Sequence, residues 1–135
     1  MPRFGKKSKS QLSTCEKDLQ RLFNEVVKHF DCTVIEGHRG AERQNNAYKQ
    51  GKSKLKFPEG KHNKTPSVAV DVIPYPIDWE DRDRHHLFSG FVLGVASQMG
   101  IKIRWGGNWD MYEEKGRWEV KDNRFDDFPH FEIKE

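Results

Sequence analysis

With 135 residues, 24 basic and 21 acidic side chains and a formal charge of +3, the chain can bury one core, and its charge is mixed rather than strongly basic. Hydrophobic residues are only 34% of it, yet nine Phe and four Trp give that fraction large contact areas, which argues against disorder throughout. No apolar stretch reaches transmembrane length and none follows the first basic residues, so neither membrane insertion nor a signal peptide is expected.

Residues 1–10, with Arg3, Lys6, Lys7 and Lys9, read as a flexible basic arm, solvated or turned toward an anionic partner. Residues 11–135 then form a single domain. Leu12, Cys15, Leu19, Leu22, Phe23, Val26, Val27 and Phe30 recur at helical steps, predicting one amphipathic helix capped by Ser13 or Thr14. Cys15 and Cys32 lie in no Cys-x-x-Cys pair and are expected to stay reduced. Thr33-Val34-Ile35 is a short strand signal that ends in a turn at Gly37. Ala41 to Gln50 has helix-forming composition and stops at Gly51. Lys52 to Pro66 is a polar, lysine-rich loop, of a length that is usually functional or mobile.

Val68 to Ile73 predicts a second strand with Asp71 set among valines. Asp81 to Met99 reads as a long helix that buries Leu87, Phe88, Phe91, Val92, Val95 and Met99, with His85 and His86 at its exposed start. Ile101 to Trp105 alternates as a half-buried strand should, and His130-Phe131-Glu132-Ile133 predicts a last strand. This order implies an α+β fold, a small and mainly antiparallel sheet packed against helices.

The chemistry concentrates in His62, Asp71, Asp127 and His130. Two imidazoles and a carboxylate suffice to hold a catalytic zinc while leaving one position open, and a second carboxylate beside the last histidine is placed to act as base. Asp71 on an apolar strand is costly to bury unless a cation compensates it, although the alternation leaves a solvent-facing side open. His130 and Asp127 lie in an acidic stretch that reads equally as charged surface. Arg39, on a turn between strand and helix, suits a developing oxyanion or a carboxylate, or simple solvation. Trp105, Trp109 and Trp118 can line a ligand or pack a core. The absence of HExxH excludes a thermolysin-like zinc site.

Four segments in order carry a resemblance: Gly37-His38-Arg39 with Gln44 and Tyr48; Lys61-His62 with Pro66 through Tyr75; Trp105-Gly106-Gly107-Asn108-Trp109; and Asp127-Phe128-Pro129-His130-Phe131-Glu132. Together they resemble the zinc D-Ala-D-Ala carboxypeptidase/L-alanyl-D-glutamate peptidase family, in particular its short phage endolysin branch. The resemblance implies a hedgehog/DD-peptidase-like single domain over residues 11–135. His62, Asp71 and His130 would ligate Zn2+, Asp127 would be the general base, and Arg39 would steady the tetrahedral intermediate. Gln44, Trp105 and Trp109 would meet the substrate.

That substrate would be a peptidoglycan stem peptide, cut at L-Ala-D-Glu. A D-Ala-D-Ala carboxypeptidase or dipeptidase is the nearest alternative, and a non-catalytic zinc- or wall-binding domain a remote one. Arg39 and rim lysines such as Lys52, Lys54 or Lys61 suit stems rich in carboxylates. A monomer is the default for a chain of this size, and the resemblance further implies a protein that stays in the host cytoplasm until release to the cell wall. No nucleic-acid partner is expected, because the acidic C-terminal third would repel phosphate. Two departures stand out: the spacing from His62 to Asp71 is two residues longer than the common form, and Gly60 replaces the usual serine.

Overall fold

The computed structural model describes residues 1–106, 113–114, 117–118 and 127–134. Its order is α1 (Lys6–Leu12), α2 (Lys17–Val26), β1 (Cys32–Glu36), α3 (Ala41–Lys49), a one-turn 3-10 helix (Lys61–Asn63), β2 (Ala69–Pro74), α4 (Arg82–Gln98), β3 (Ile103–Trp105), β4 (Glu113–Glu114), β5 (Arg117–Trp118) and β6 (His130–Ile133). Four strands form one sheet in the order β1-β2-β6-β3, with every neighbouring pair antiparallel. β4 and β5 pair separately. The expected α+β architecture is what the chain adopts.

One face of the sheet carries the core. Val34, Val72, Val70 and Phe131 point into it and meet α2 and α4 through Leu19, Leu22, Phe23, Val26, Phe88 and Val92. Phe131 is the hinge of this packing, edge-on to Phe23 at 5.4 Å and to Phe88 at 6.2 Å between ring centroids. Because side chains alternate along β6, seating Phe131 in the core turns His130 and Glu132 to the opposite face. Gly51 and Gly100, at φ 75° and 70°, end α3 and α4 in the left-handed conformation.

Several expectations change. The predicted N-terminal helix is two helices, because a distant segment takes over the backbone between them: Ser67 N donates to Thr14 O at 2.9 Å and Glu16 N to Ser67 O at 2.8 Å. Ser13 and Thr14 bond back to Ser10 O and Gln11 O, so they close α1, while the Glu16 side chain caps α2. The stretch read as a flexible basic arm contains α1 from Lys6 onward, with Phe4 and Ser8 buried. Phe4 joins the core, and the Ser8 hydroxyl accepts from Val34 N at 3.1 Å, which ties the segment to β1.

On α4 the buried stripe is His85, Phe88, Ser89, Val92 and Ala96, and Leu87 is 66% exposed. The choice of stripe follows from His85, whose ring packs between Trp79 and Phe128 and whose Nε2 lies 3.2 Å from Asp78 O. This anchor rotates Leu87 outward.

Cys15 and Cys32 are free and buried. Burial is the main cause that pushes the Cys15 thiol up to about 11 and the Cys32 thiol to about 12, from 9.0 in the unfolded reference. Between pH 9 and 11 the unfolded chain therefore releases thiol protons that the folded chain keeps, and stability falls as pH rises. We predict a thermal midpoint that declines over this window, with a shallower decline in a Cys15→Ala/Cys32→Ala variant. Neither thiol should react with a maleimide at pH 7 until the protein is denatured.

Candidate active site

The face of the sheet opposite the core holds a row of polar side chains. Antiparallel register sets Asp71 of β2 directly across from His130 of β6, and Glu36 of β1 across from Asp71 on the other side. Glu36 reaches this row through a register shift between Val34 and Glu36. Without that bulge its parity with Val34 would send the carboxylate into the core. His62 arrives from the 3-10 helix, which is stitched to the turn after β1. Arg39 N donates to His62 O at 2.8 Å, and Asn63 Nδ2 donates to Arg39 O at 2.9 Å.

Three donor atoms converge. His62 Nε2 lies 3.2 Å from Asp71 Oδ1 and 3.3 Å from His130 Nδ1, and His130 Nδ1 lies 3.3 Å from Asp71 Oδ1. A tetrahedral zinc with bonds of ~2.0–2.1 Å separates its ligand atoms by about 3.3–3.4 Å, so the triangle has the dimensions of a metal face. The outer nitrogens settle which atoms look inward. His62 Nδ1 lies 2.7 Å from Gly37 O, an acceptor only, and so carries the proton. His130 Nε2 lies 2.8 Å from Glu132 Oε1, a carboxylate oxygen, and carries its proton likewise. Both imidazoles in their neutral form thus aim lone pairs at a carboxylate oxygen. Such a group needs a cation, and a His/His/carboxylate set of this size fits a divalent metal.

The electrostatics express the same demand. Burial works against the Asp71 anion, but hydrogen bonds from His130 and His62 and their charges outweigh it and hold the carboxyl well below the usual range. Burial likewise lowers His130, yet hydrogen bonds to Asp71 and Glu132, with the charges of Asp71 and Asp127, raise it to about 9. A proton is drawn to where the metal would sit. The Glu132 carboxylate, although buried, is held below its ordinary range by His130 and by Arg104, whose NH2 lies 3.2 Å from Oε2.

Asp127 faces the same centre. Crowding by protein is the first cause that raises its carboxyl and the charge of Asp71 the second, against His130, His62 and Arg39. The residue stays open to solvent, so the upward push is partial. Its backbone is pinned by Asp127 N donating to Gly106 O at 2.9 Å and by His130 N donating to Asp127 O at 3.1 Å. A Cβ at position 106 would lie 2.1 Å from Asp127 O, which is why glycine stands there.

Arg39 is held from behind. Its Nε and NH2 each lie 2.7 Å from Glu36 Oε1, its NH1 donates to Gln44 Oε1 at 3.1 Å, and its NH2 lies 3.8 Å from Asp71 Oδ2.

Residues 1–134 match the family described as phage L-alanyl-D-glutamate peptidase. The chain belongs to that family. Among curated relatives, the L-alanyl-D-glutamate peptidase of Escherichia phage T5 is 29% identical over 113 residues, which cover 80% of this chain and 82% of the relative. Among solved structures, the Serratia marcescens L-Ala D-Glu endopeptidase ChiX superposes with a TM-score of 0.75 at 24% identity, covering 98% of this chain and 91% of that one. At that identity the likeness concerns the fold.

Two residues expected to meet substrate are buried and bonded to other parts of this peptidase. Gln44 is 1% exposed, and its amide is consumed internally: Nε2 donates to Ser53 Oγ and Leu55 O, while Oε1 accepts from Arg39 and Asn63. It positions Arg39 from behind. Trp105 is 2% exposed, stacks on Phe128 and donates from Nε1 to Phe128 O at 2.7 Å, so it braces the segment that carries Asp127. Trp109 lies outside the described residues.

Glu36 and Glu132, which hold Arg39 and His130 in place, are positions that residue pattern alone does not single out. Glu132 was within reach of it, since residues two apart on a strand share a face and His130 was already in view. Glu36 was not, because only the bulge brings it round. Gly60 also finds its reason here. A Cβ at that position would lie 2.7 Å from Asn63 Oδ1 and 3.0 Å from Gln44 Oε1, so those amides occupy the room a serine would take.

Removing the Glu132 carboxylate frees the His130 ring and its tautomer. Glu132→Ala should weaken divalent-metal affinity by about 10–100-fold with the secondary structure intact, as read by competition with a chromophoric chelator and by circular dichroism.

Proposed function

We propose that this protein is a zinc-dependent peptidoglycan peptidase that hydrolyses the L-Ala-D-Glu amide of the stem peptide. The observation that carries the reading is the triangle of His62 Nε2, Asp71 Oδ1 and His130 Nδ1, with both outer nitrogens committed to fixed acceptors. The family and its phage relative supply the bond. Zinc is the natural occupant of two imidazoles and one carboxylate in tetrahedral spacing, although such a set also accepts neighbouring divalent ions.

A zinc held by His62, Asp71 and His130 would supply Lewis acidity, making water a better nucleophile at neutral pH and polarising the scissile carbonyl. Asp127 accepts the proton that the attacking water loses. Its raised carboxyl then makes it a competent donor to the leaving amine, whose expulsion needs that proton. Arg39 aims its NH2 across Asp71 toward the reacting centre and carries the positive charge that steadies the oxyanion. Glu36 and Gln44 lock the guanidinium in this pose, so little reorganisation is needed when charge develops.

The test is turbidity loss of outer-membrane-permeabilised Gram-negative cells, with mass spectrometry of the soluble products. Wild type should lyse the cells and leave stem fragments with D-Glu as the new N-terminus. EDTA should abolish lysis and added Zn2+ restore it; lysis that persists in EDTA refutes the metal mechanism. Free D-Ala without lysis would move the cut to the D-Ala-D-Ala end. Asp127→Ala should lower kcat by about 10²–10⁴-fold. Arg39→Ala should cost about 10²–10³-fold, with the loss mainly in kcat rather than KM.

A further inference from the structure

Helix α3 is an oddity of the fold, since Gln44 is its only buried residue. A helix is normally kept in place by an apolar stripe. This one is kept by the polar contacts of Gln44, so the side chains it presents elsewhere are what the fold gains from it. Arg43, Asn46, Ala47 and Gln50 stand at i, i+3, i+4 and i+7 and share one face. With Glu36, Arg39 and Lys52 they line a cavity of about 300 Å³.

The charge of this cavity is unbalanced. Arg39, Arg43 and Lys52 bring three positive charges and Glu36 one negative, a net of +2. Glu36 is already shared between the two guanidinium groups. Arg43 keeps 66% of its side chain open to solvent while touching Glu36, so its fork is available to a ligand as well. Arg39 forms the boundary with the catalytic centre, since the same guanidinium that lines the cavity lies 3.8 Å from Asp71 Oδ2.

We propose that this cavity is the subsite for the free α-carboxylate of the glutamyl residue on the leaving side of the cut, with Arg43 and Lys52 as its specificity-determining residues. The inference rests on the peptidase reading above. A stem that continues through the glutamyl side-chain carboxyl leaves the α-carboxylate on the carbon that bears the scissile nitrogen. An anion so near the reacting amide must lie beside the metal ligands. At the centre itself the carboxylates of Asp71, Asp127 and Glu132 crowd the space around the metal position, whereas the Arg39 side leads into surplus positive charge. Arg43 can take a carboxylate through its planar fork and Lys52 as a point charge. The volume exceeds that of a carboxylate and leaves room for the onward chain.

The experiment compares two muramoyl tripeptides, one with the α-carboxylate free and one with it converted to the carboxamide, on wild type, Arg43→Gln, Lys52→Gln and the double variant. Both side chains are exposed, so the variants should fold, which thermal melts verify. Wild type should prefer the free acid by about tenfold in kcat/KM, and the double variant should lose most of that preference through KM. Lys17→Gln, the same charge change on α2, should keep it.

NMR titration with the glutamyl dipeptide product and its α-amide reads the subsite without catalysis. Tighter binding of the acid that disappears in the double variant supports the subsite. Equal binding of acid and amide by wild type overturns it. Selective binding of the acid without cleavage of either tripeptide would refute the peptidase reading while leaving an anion site in place. Cleavage only of a D-Ala-D-Ala terminus, with the terminal α-carboxylate discriminated instead, would overturn the glutamyl assignment.

Discussion

Three electron-rich atoms held 3.2–3.3 Å apart, none with a proton to offer the others once both histidines are neutral, are the constraint around which this molecule is arranged. Left alone, the arrangement repels itself and buries a carboxylate with little compensation, at a cost of several kcal/mol. A divalent cation resolves both problems, and a proton on His130 is the partial substitute that the electrostatics favour without it. The apparatus that fixes the tautomers comes from opposite flanks: Gly37 O after β1 holds His62, and Glu132 on β6 holds His130. Either flank loosened would let an imidazole turn its N–H inward and spoil the ligand set.

The sheet does this work because its two faces are chemically separate. Phe131 locks β6 between α2 and α4, and the same strand alternation presents His130 and Glu132 on the other side. The row Glu36, Asp71, His130 crosses three strands at a single level, so the site inherits its rigidity from backbone pairing rather than from loops. The dry face is filled with Val34, Val70, Val72 and Phe131, which explains why such short strands hold their register.

The parts of this design legible in the sequence are those written in local pattern. Asp71 between two valines announced a strand with a charged purpose, and Pro129-His130 marked the start of another. That His62, Asp71 and His130 come together as a group able to hold a metal followed from residue type and order. What was not legible depends on contacts between distant segments. Ser67 splits the first helix by hydrogen bonding across to Thr14 and Glu16, and no periodicity within residues 12–30 encodes that. The bulge that delivers Glu36 is invisible in a period-two pattern. His85 outcompetes Leu87 for the interior because a histidine flanked by aromatic rings can bury more surface than its polarity implies. The packing of Gln44 and Trp105 is illegible for a related reason. Polar and aromatic residues near a site can brace its walls as readily as face its ligand, and only the burial of both atoms and rings decides between the two.

The N-terminal helix shows how far the requirements of the centre extend. Gln11 Oε1 accepts from Gly37 N at 3.0 Å and Thr14 Oγ1 accepts from His38 N at 2.8 Å, so α1 and the turn that closes it grip the turn whose carbonyl orients His62. The fit is close: a Cβ on Gly37 would lie 2.3 Å from both Gln11 O and Thr14 Oγ1, too near for any side chain. Glycine is needed here for approach, not for an unusual dihedral. The segment that composition alone would assign to solvent is therefore coupled to the His62-Asp71-His130 group through Gln11 and Gly37, and its basic residues lie on the outer side of a helix whose inner side serves the site. A truncation that removes α1 would remove the Gln11 bond to that turn and the Ser8 bond to Val34 N, and would uncover Cys15 and Val34. The centre would then lose the orientation of His62 before it lost any ligand atom.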